Sequence, residues 1–310
     1  MAAEAPRVAT LAVVGVGLVG GSFALALKAA GRVGSVVGIG RGRANLDAAL
    51  ALGIVDRAVT LDADWMRELA AADVVLLAAP VAQFPGLFAA LAGRLAPRTI
   101  VTDAGSTKQN VIAAARAHLG AALPRFVPGH PIAGTEHTGA AAAFATLYRD
   151  RNVVLTPLPE TDPAAVATVA SLWTACGAQV RELDAAVHDR IFAAVSHLPH
   201  LLAFALVDLL AGRPDAADVF RYAASGFRDF TRIAAGSPEM WRDISLANRD
   251  ALLAEVEAFR AQLDRVSAMV AAGDGAALEA VFERAATARR AWGARFAAAP
   301  AVPADGPREP

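Results

Sequence analysis

The stretch VATLAVVGVGLVGGS, residues 8–22, decides the fold. An apolar, β-branched run is followed at once by the pattern Gly15-x-Gly17-x-x-Gly20 and then by an apolar segment of helical length. A strand, a tight glycine turn and a helix in this order open a doubly wound α/β fold. Gly15 would allow the turn, Gly17 would let a pyrophosphate approach the backbone, and Gly20 would let the helix pack on the strand. The stretch therefore predicts a dinucleotide site; the alternative is a glycine-rich turn without a ligand.

The segment Thr10–Leu27 resembles an export signal or a membrane span, because no charge interrupts it before Lys28. Its glycines stand where a signal sequence would have leucine, and no basic cluster precedes it beyond Arg7. A strand, turn and helix explain the same residues. The single cysteine, Cys176, excludes an intrachain disulfide and fits a reducing compartment. We therefore expect a cytoplasmic protein.

The composition is that of a folded globular protein with a small-molecule partner. The chain has 310 residues, of which 55% are hydrophobic and 19% charged. At about 150 residues per domain, this length predicts two domains. The formal net charge of -1 provides no overall field that would attract nucleic acid or an anionic membrane.

Short β-branched runs alternate with alanine-rich helical stretches through the first half of the chain. The predicted strands are Val8–Val14, Ser35–Ile39, Asp73–Ala78, Thr99–Thr102 and Asn152–Leu155, with a last strand near Ala178–Leu183. Alternation of this kind indicates a parallel sheet with helices on both faces. We predict a Rossmann-type dinucleotide-binding domain over residues 1–184.

An all-helical domain is predicted over residues 185–296. His188–Leu210 is apolar over a helical length, so we expect this helix to be buried on most sides. Further on, apolar residues recur at spacings of three and four: Leu252, Val256, Phe259, Leu263, Val266 and Val270. This seam can pack within the chain or against a second subunit, and its extent favours an obligate homodimer. Residues 297–310 are rich in Ala and Pro and predict a disordered tail.

Cofactor specificity is expected at the end of the second strand, in the segment GIGRGR, residues 38–43. An NAD site usually has a carboxylate there for the ribose hydroxyls. No carboxylate is present, and Arg41 and Arg43 can instead pair with a 2'-phosphate. NADP is therefore favoured over NAD. The alternative is that both arginines are solvated and that either cofactor is accepted.

Five further clusters follow the glycine pattern in order. They are DAGSTK at 103–108, GHPIAGTE at 129–136, SHLPH at 196–200, GFRDFTRIA at 226–234 and WRDI at 241–244. With these clusters the chain resembles the prephenate/arogenate (cyclohexadienyl) dehydrogenase family from about residue 10 to residue 296. The resemblance implies an NAD(P)-dependent oxidative decarboxylation of prephenate or its amino analogue arogenate in tyrosine biosynthesis.

His130 and Ser106 are the predicted catalytic residues. Hydride loss from a carbon that bears a hydroxyl needs a base for the hydroxyl proton, and imidazole is suited to this near neutral pH. His130, held between Gly129 and Pro131, is the best candidate, although a lone histidine is more often structural; the resemblance implies catalysis. Ser106 could be the N-cap of a helix that begins near Lys108. The resemblance implies that it hydrogen-bonds the catalytic histidine beside the nicotinamide, and the two roles need not exclude each other.

The resemblance also implies the substrate and cofactor contacts. Arg232 would contact a substrate carboxylate and His200 would line the same pocket, while Thr135, Glu136, Asp229 and Trp241 match positions that surround the substrate. Leu18, Val19, Pro80 and Ser106 join the glycines at the cofactor. Arg228 and His197 are left open between ligand contact and a surface or packing role, and His118, His137 and His188 are assigned structural roles.

Two alternatives compete with this interpretation. A β-hydroxyacid dehydrogenase or an imine reductase would have a catalytic lysine in the helical domain, but no lysine follows Lys108. A dinucleotide-sensing protein would not need His130, Ser106 and Arg232 together. No metal is expected, because the substrate carboxylates have arginine and histidine partners. The sequence leaves open the choice between prephenate and arogenate and any inhibition by tyrosine.

Overall fold

The computed structural model describes residues 8–61, 65–135 and 137–297. Glu136 and residues 298–310, which include nearly all of the predicted tail, lie outside the described residues. The described residues form two compact units, which divide between residues 252 and 253. The predicted domain limits at residues 184 and 296 stay a prediction.

A six-stranded parallel sheet forms the centre of the first unit. Its strands are β1 (Val8–Val14), β2 (Val33–Gly40), β3 (Arg57–Thr60), β4 (Val74–Leu77), β5 (Ile100–Asp103) and β6 (Phe126–Val127). Their spatial order is β3-β2-β1-β4-β5-β6. The order reverses between β1 and β4, which opens a crevice at the carboxyl ends of these strands, where ligands bind in such folds. The predicted fold class is confirmed.

Helices cover both faces of this sheet. They are α1 (Leu18–Ala29), α2 (Arg43–Ala51), α3 (Trp65–Leu69), α4 (Phe84–Leu91), α5 (Gln109–His118) and α6 (Pro163–Ala175). One core contains Phe23 packed on Trp173, with ring centroids 4.3 Å apart. The core on the opposite face contains Phe84, Phe88 and Phe126. Because both faces are buried, the strands are continuously apolar rather than alternating, as β4 (VVLL) illustrates.

A second, three-stranded sheet follows the first. It consists of β7 (Gly129–Pro131), β8 (Asn152–Leu155) and β9 (Gln179–Glu182), with β7 antiparallel to β8 and β8 parallel to β9. The prediction that β8 and β9 continue the parallel sheet is wrong. Pro128 separates β6 from β7 and has no N–H to extend a ladder, so the chain leaves the large sheet there and turns to pair with β8.

The remainder of the chain is helical. The elements are α7 (Ala185–Phe192), a π turn (Ala193–His197), α8 (Leu198–Ala211), α9 (Ala216–Arg221), α10 (Ser225–Thr231), α11 (Pro238–Ala247), α12 (Arg249–Ala272) and α13 (Gly275–Ala297). The predicted helix over 188–210 is confirmed in position, but its expected burial is wrong within one chain: Val195 and Leu209 are each 67% exposed. Among the described residues, Ala185–Ala211 is the one run long and apolar enough to cross a membrane, which by length and composition alone is weak evidence.

The predicted seam on α12 is exposed along most of its length. Leu252 is buried, whereas Phe259, Leu263 and Val270 are exposed, Leu263 to 53%. On α13, Phe282 and Trp292 are exposed as well. Large apolar side chains in solvent at helical spacing are typical of a surface that another chain covers.

Candidate active site

A cleft of about 350 Å³ opens at the carboxyl ends of β1, β2 and β4. Its walls are formed by the glycine loop, the end of β2, the segment after β4 and the turn near residue 139. The lining residues are Val14, Gly15, Val16, Gly17, Gly40, Arg41, Gly42, Asn45, Leu61, Ala78, Ala79, Pro80, Gln83, Thr138 and Gly139. Of the predicted cofactor residues, Gly15, Gly17, Arg41 and Pro80 line this cleft; Leu18, Val19, Gly20, Arg43 and Ser106 lie outside its lining.

The glycine loop has the shape that a pyrophosphate requires. Gly15 has a φ of +99°, and a Cβ there would overlap the carbonyl oxygen of Ala78. A Cβ on Gly20 would overlap the carbonyl oxygen of Gly15, so this glycine lets α1 lie close to the loop. A Cβ on Gly17 would meet nothing within 4 Å. Space therefore remains where the backbone N–H groups at the start of α1 face the cleft, and the residues present fit a dinucleotide.

The two specificity arginines differ in their surroundings. Arg41 is exposed and lines the cleft. Arg43 begins α2, and its Nε lies 2.9 Å from Oδ1 of Asp47, one helical turn further on. No carboxylate is among the described residues that line the cleft. Arg41 is therefore the better placed of the two for a phosphate.

Asn45 is a cleft residue that the sequence interpretation missed. Its Nδ2 donates to the carbonyl oxygen of Val16 at 2.7 Å, and its Oδ1 accepts from the N–H of Ala140 at 2.8 Å. The side-chain amide of Asn45 thus joins the glycine loop to the turn at Gly139. Its contact with Ala140 links residues that are 95 positions apart in sequence. An asparagine in an amphipathic helix carries no local signal of such a bridge.

His130 lies on β7, half-buried, at the centre of a chain of hydrogen bonds. Its Nδ1 is 2.9 Å from Nε2 of His188, and Nδ1 of His188 is 2.8 Å from Oδ1 of Asp189. Phe192 packs its ring edge against His130 with centroids 4.8 Å apart. His188, assigned a structural role from sequence, is thus the direct partner of the predicted base. The register of α7, which places His188 and Phe192 against His130, was the missing information.

The structure differs from both predictions for Ser106. This side chain is half-buried in the loop before α5, and the hydrogen bond of His130 goes to His188 instead. Ser106 is not the N-cap either. The helix begins at Gln109, and its first N–H groups are capped by Asp189, whose Oδ1 accepts from Lys108 N at 2.8 Å and whose Oδ2 accepts from Gln109 N at 2.9 Å. The cap comes from 80 residues away in sequence, so no local pattern could predict it.

A buried ion pair joins the loop after β5 to β7. The Nζ of Lys108 pairs with Oδ2 of Asp103 and donates to the carbonyl oxygen of Gly129 at 2.6 Å, and both charged side chains are inaccessible to solvent. Asp103 also accepts from the N–H groups of Gly105 at 2.8 Å and Gly129 at 3.1 Å. Gly129, the residue immediately before His130, is therefore hydrogen-bonded through both its N–H and its carbonyl. Lys108 is fully committed to this pair and does not act as a free base.

The π turn between α7 and α8 brings two histidines to one side of the helix. At about 100° per residue, side chains twelve positions apart on an unbroken α-helix point about 120° apart. A π turn absorbs one extra residue, which reduces this angle to about 20° for His188 and His200. His200 stacks on Trp241 at 3.5 Å between ring centroids, and its Nδ1 bonds the carbonyl oxygen of Ser196 at 2.8 Å.

Asn248, another residue missed from sequence, links this histidine cluster to Asp189. Its Nδ2 donates to the backbone carbonyl of Asp189 at 2.8 Å and to Nδ1 of His197 at 3.0 Å. His197 is buried, and burial lowers its pKa to about 4, which agrees with a neutral ring that accepts at Nδ1. The alternative of a packing role for His197 is therefore favoured over ligand contact.

The remaining predicted substrate residues lie on the exposed side of the site. Burial lowers the pKa of His200, and the positive charge of Arg232 lowers it further. Arg232 is exposed. Asp229 is exposed and pairs with Arg228 at 3.3 Å. Thr135 is exposed, and its hydroxyl accepts from the N–H of His137 at 3.3 Å.

The electrostatics of the site favour neutral His130. Burial holds its pKa well below the ordinary value of 6.5, and positive charge on Lys108, or on His188 and His197 when these rings are protonated, lowers it further. A neutral imidazole at physiological pH can accept a proton. Among the described residues, no group of three or more His, Cys, Asp or Glu side chains is arranged to hold a metal ion.

The chain matches two family profiles in succession. Residues 23–182 match the one described as prephenate dehydrogenase, nucleotide-binding domain, and residues 184–284 match prephenate dehydrogenase, dimerization domain. The chain is 37% identical over 283 residues to the cyclohexadienyl dehydrogenase of Zymomonas mobilis, which covers 91% of this chain and 95% of that relative.

Solved structures agree with these matches. The fold is similar to that of the prephenate dehydrogenase from A. aeolicus in complex with hydroxyphenyl propionate and NAD+, with a TM-score of 0.86, 35% identity and coverage of 93% of this chain and 99% of that one. It is also similar to the arogenate dehydrogenase of Synechocystis, with a TM-score of 0.75, 29% identity and coverage of 91% and 99%.

Proposed function

Since the chain belongs to the prephenate dehydrogenase family, we propose that His130 is the general base of its reaction and that NADP is its preferred cofactor. The protein is an oxidoreductase that oxidatively decarboxylates a cyclohexadienyl substrate, prephenate or arogenate, with a nicotinamide dinucleotide. The observation that carries the assignment of the base is the geometry of His130, a half-buried neutral imidazole whose Nδ1 is anchored by His188.

The side chains of the site divide the chemistry between them. When bound, the dinucleotide accepts the hydride that leaves the hydroxyl-bearing ring carbon. Nε2 of His130 takes the hydroxyl proton as this happens, which turns the alcohol carbon into a carbonyl carbon. The ring carboxylate leaves as carbon dioxide, and the electrons of the broken C–C bond make the ring aromatic and shift the carbonyl electrons onto the oxygen. That oxygen then takes a proton to give the phenol. Arg232 anchors a substrate carboxylate through charge-assisted hydrogen bonds, and His200 lines the same pocket.

The preference for NADP rests on Arg41. Its guanidinium lines the cleft, whereas that of Arg43 is paired with Asp47. A charge-assisted hydrogen bond contributes about 1.5–3 kcal/mol, or roughly a 10- to 150-fold change in affinity. Arg41→Gln is therefore expected to raise KM for NADP by at least 10-fold with little change for NAD, and Arg43→Gln is the matched control. A wild-type enzyme that prefers NAD would refute the proposal.

We expect the protein to work as a homodimer through its helical domain. The exposed apolar residues of α8, α12 and α13 support this, as does the match of residues 184–284 to a dimerization domain. Light scattering after gel filtration should give twice the chain mass of 31.8 kDa. Leu263→Asp should shift the protein toward the monomer, and Leu52→Asp, at an exposed leucine of the nucleotide-binding unit, should not. A monomeric wild type would contradict this expectation.

The cytoplasm is the proposed location. A lone cysteine fits a reducing compartment, and the apolar run Ala185–Ala211 carries His188, Asp189, His197 and His200 of the site, which suits a dimer interface better than a lipid bilayer. Cell fractionation tests this directly, and recovery in the membrane fraction after a high-salt wash would refute it.

The defining experiment is absorbance at 340 nm with prephenate and arogenate, each with NAD and NADP. Reduction of the cofactor with either substrate is expected, and the four rates fix both preferences. The His130→Asn variant should lose this activity while it still binds the dinucleotide, measured by quenching of tryptophan fluorescence. No reduction in any of the four mixtures would refute the function.

A further inference from the structure

The side chains behind His130 form a series of hydrogen bonds that runs from Asp189 through His188 to His130. His188 and Asp189 are both buried, and each hydrogen bond along the series Asp189, His188, His130 lies between 2.8 and 2.9 Å. The mechanism described above uses His130 but assigns nothing to the two residues that hold it. Both come from α7, while His130 comes from β7, so the contact fixes one element against the other.

The positions of the protons in this series of hydrogen bonds follow from the charge state of Asp189. Burial would raise the pKa of Asp189, but the hydrogen bonds from His188, Gln109 N and Lys108 N outweigh burial and hold the pKa below the ordinary value. An ionised carboxylate only accepts, so the neutral ring of His188 must carry its proton on Nδ1. Its Nε2 is then an acceptor. His130 must therefore carry its own proton on Nδ1, which leaves a lone pair on Nε2.

We propose that His188 and Asp189 are positioning residues that hold His130 in the tautomer with the proton on Nδ1, so that Nε2 faces the substrate hydroxyl as a base. This inference rests on the proposed function of His130. When the O–H bond of the substrate breaks and an N–H bond forms at Nε2, the hydride and its two electrons pass to the nicotinamide dinucleotide. The resulting imidazolium keeps its Nδ1–H bond to His188, and His188 keeps its bond to the Asp189 carboxylate.

Asp189 has a second task in this arrangement. The same carboxylate caps α5 through Lys108 N and Gln109 N, and so holds the end of the loop that contains Ser106. The carboxylate of Asp189 therefore positions both His130 and the loop beside the crevice. A shift of α7 would move both together, which keeps their relative position constant.

The charged and titratable groups around His130 come from four elements. His188 and Asp189 lie on α7, Asp103 ends β5, Lys108 precedes α5, and His197 closes the π turn. Lys108 and Asp103 are paired with each other, and His197 is held neutral by burial. Among these groups, Asp189 is therefore the one whose carboxylate must accept a hydrogen bond from a histidine of the series.

The test compares two substitutions of His188. His188→Leu fills the space without an acceptor, so His130 should turn to the Nε2–H tautomer that dominates in water. We expect kcat to fall about 100-fold, while KM for substrate and cofactor changes less than 3-fold. The amide oxygen of His188→Gln can accept from Nδ1–H, and this variant should recover kcat to within about 10-fold of the wild type. His118→Gln, at an exposed histidine, is the control.

The tautomer itself can be measured. Long-range proton–nitrogen correlation spectra of protein labelled in histidine, assigned with His130→Asn, should show the proton of His130 on Nδ1 in the wild type and on Nε2 in His188→Leu. A wild-type spectrum with the proton of His130 on Nε2 would overturn the proposal even if neither His188 variant folds. If His130→Asn is inactive while His188→Leu keeps full kcat and the wild-type tautomer, the positioning role fails and the base remains. If His130→Asn keeps full activity, the proposed function itself fails.

Discussion

Replacing Lys108 by Met should destabilise the protein by about 3 kcal/mol at pH 8. Both members of its pair with Asp103 are fully buried, and loss of one partner from a buried pair costs roughly 3–5 kcal/mol. The lower end of this range applies because Asp103 keeps two backbone donors, Gly105 N at 2.8 Å and Gly129 N at 3.1 Å. Such a loss is a large fraction of the roughly 5–15 kcal/mol that stabilises a typical domain.

The destabilisation should depend on pH with a defined sign. Burial raises the pKa of Asp103, and without Lys108 the carboxyl becomes protonated more readily than in the unfolded chain, where its pKa is about 3.9. The folded variant therefore binds this proton more tightly than the unfolded chain does. Its stability is greatest below the unfolded pKa and is lost as pH rises through the folded pKa. The deficit relative to the wild type should be smaller at pH 5.5 than at pH 8.

Urea unfolding, followed by tryptophan fluorescence at one protein concentration, measures both quantities. Asp103→Asn combined with Lys108→Met removes the stranded charge and should recover at least half of the loss. Lys28→Met is the matched control, because the pair of Lys28 with Asp56 is partly exposed and should contribute about 1 kcal/mol or less. The reasoning fails if Lys108→Met lies within 1 kcal/mol of the wild type at pH 8, or if its deficit is equal at both pH values.

Three further predictions concern the site. His130→Asn should lower kcat by about 10²- to 10⁴-fold with KM for the cofactor unchanged in steady-state assays; a loss below 10-fold would exclude it as the base. Arg232→Gln should raise KM for the substrate by about 10- to 150-fold, whereas Arg228→Gln, at a residue paired with exposed Asp229, should change it little; equal effects would refute the anchor. The pKa of His197, lowered by burial to about 4 from about 6.5 unfolded, implies that stability present above pH 6.5 is lost as pH falls, by about 2 kcal/mol at pH 5. His197→Asn should reduce the acid sensitivity in urea unfolding by this amount, and an unchanged sensitivity would refute the assignment.

The sequence predicts the nucleotide-binding core because its signals are local. The glycine pattern lies within six residues, and β1 and β8 occur at the predicted limits because an apolar run bounded by turn residues defines a strand. The partner of a strand is a different matter. Nothing within Asn152–Leu155 indicates that it pairs with Gly129–Pro131 in a second sheet rather than extending the first.

The residues of the candidate site also divide into those that local sequence predicts and those whose role depends on tertiary contacts. His130 could be selected from sequence because glycine and proline flank it and because the family resemblance covers it. His188 could not, because its role depends on the packing of α7 against β7, and Asp189 caps a helix that begins 80 residues earlier. The expected burial of α8 was wrong because an apolar helix can be covered by a second subunit as well as by its own chain.

The π turn between α7 and α8 determines which changes in this segment keep His188 and His200 aligned. A π turn is a less favourable way to wind a helix than the α form, so the loss of one codon, for example that of Ala194, would relax this segment into a continuous and more regular helix. His188 and His200 would then lie eleven positions apart on an unbroken α-helix, with side chains about 20° apart, so the deletion would leave their alignment unchanged. Rewinding the full-length segment into the α form, with no residue lost, would instead rotate His200 and everything after it by about 100° relative to His188. The alignment of the two histidines therefore depends on the match between the number of residues in this segment and the way the segment is wound.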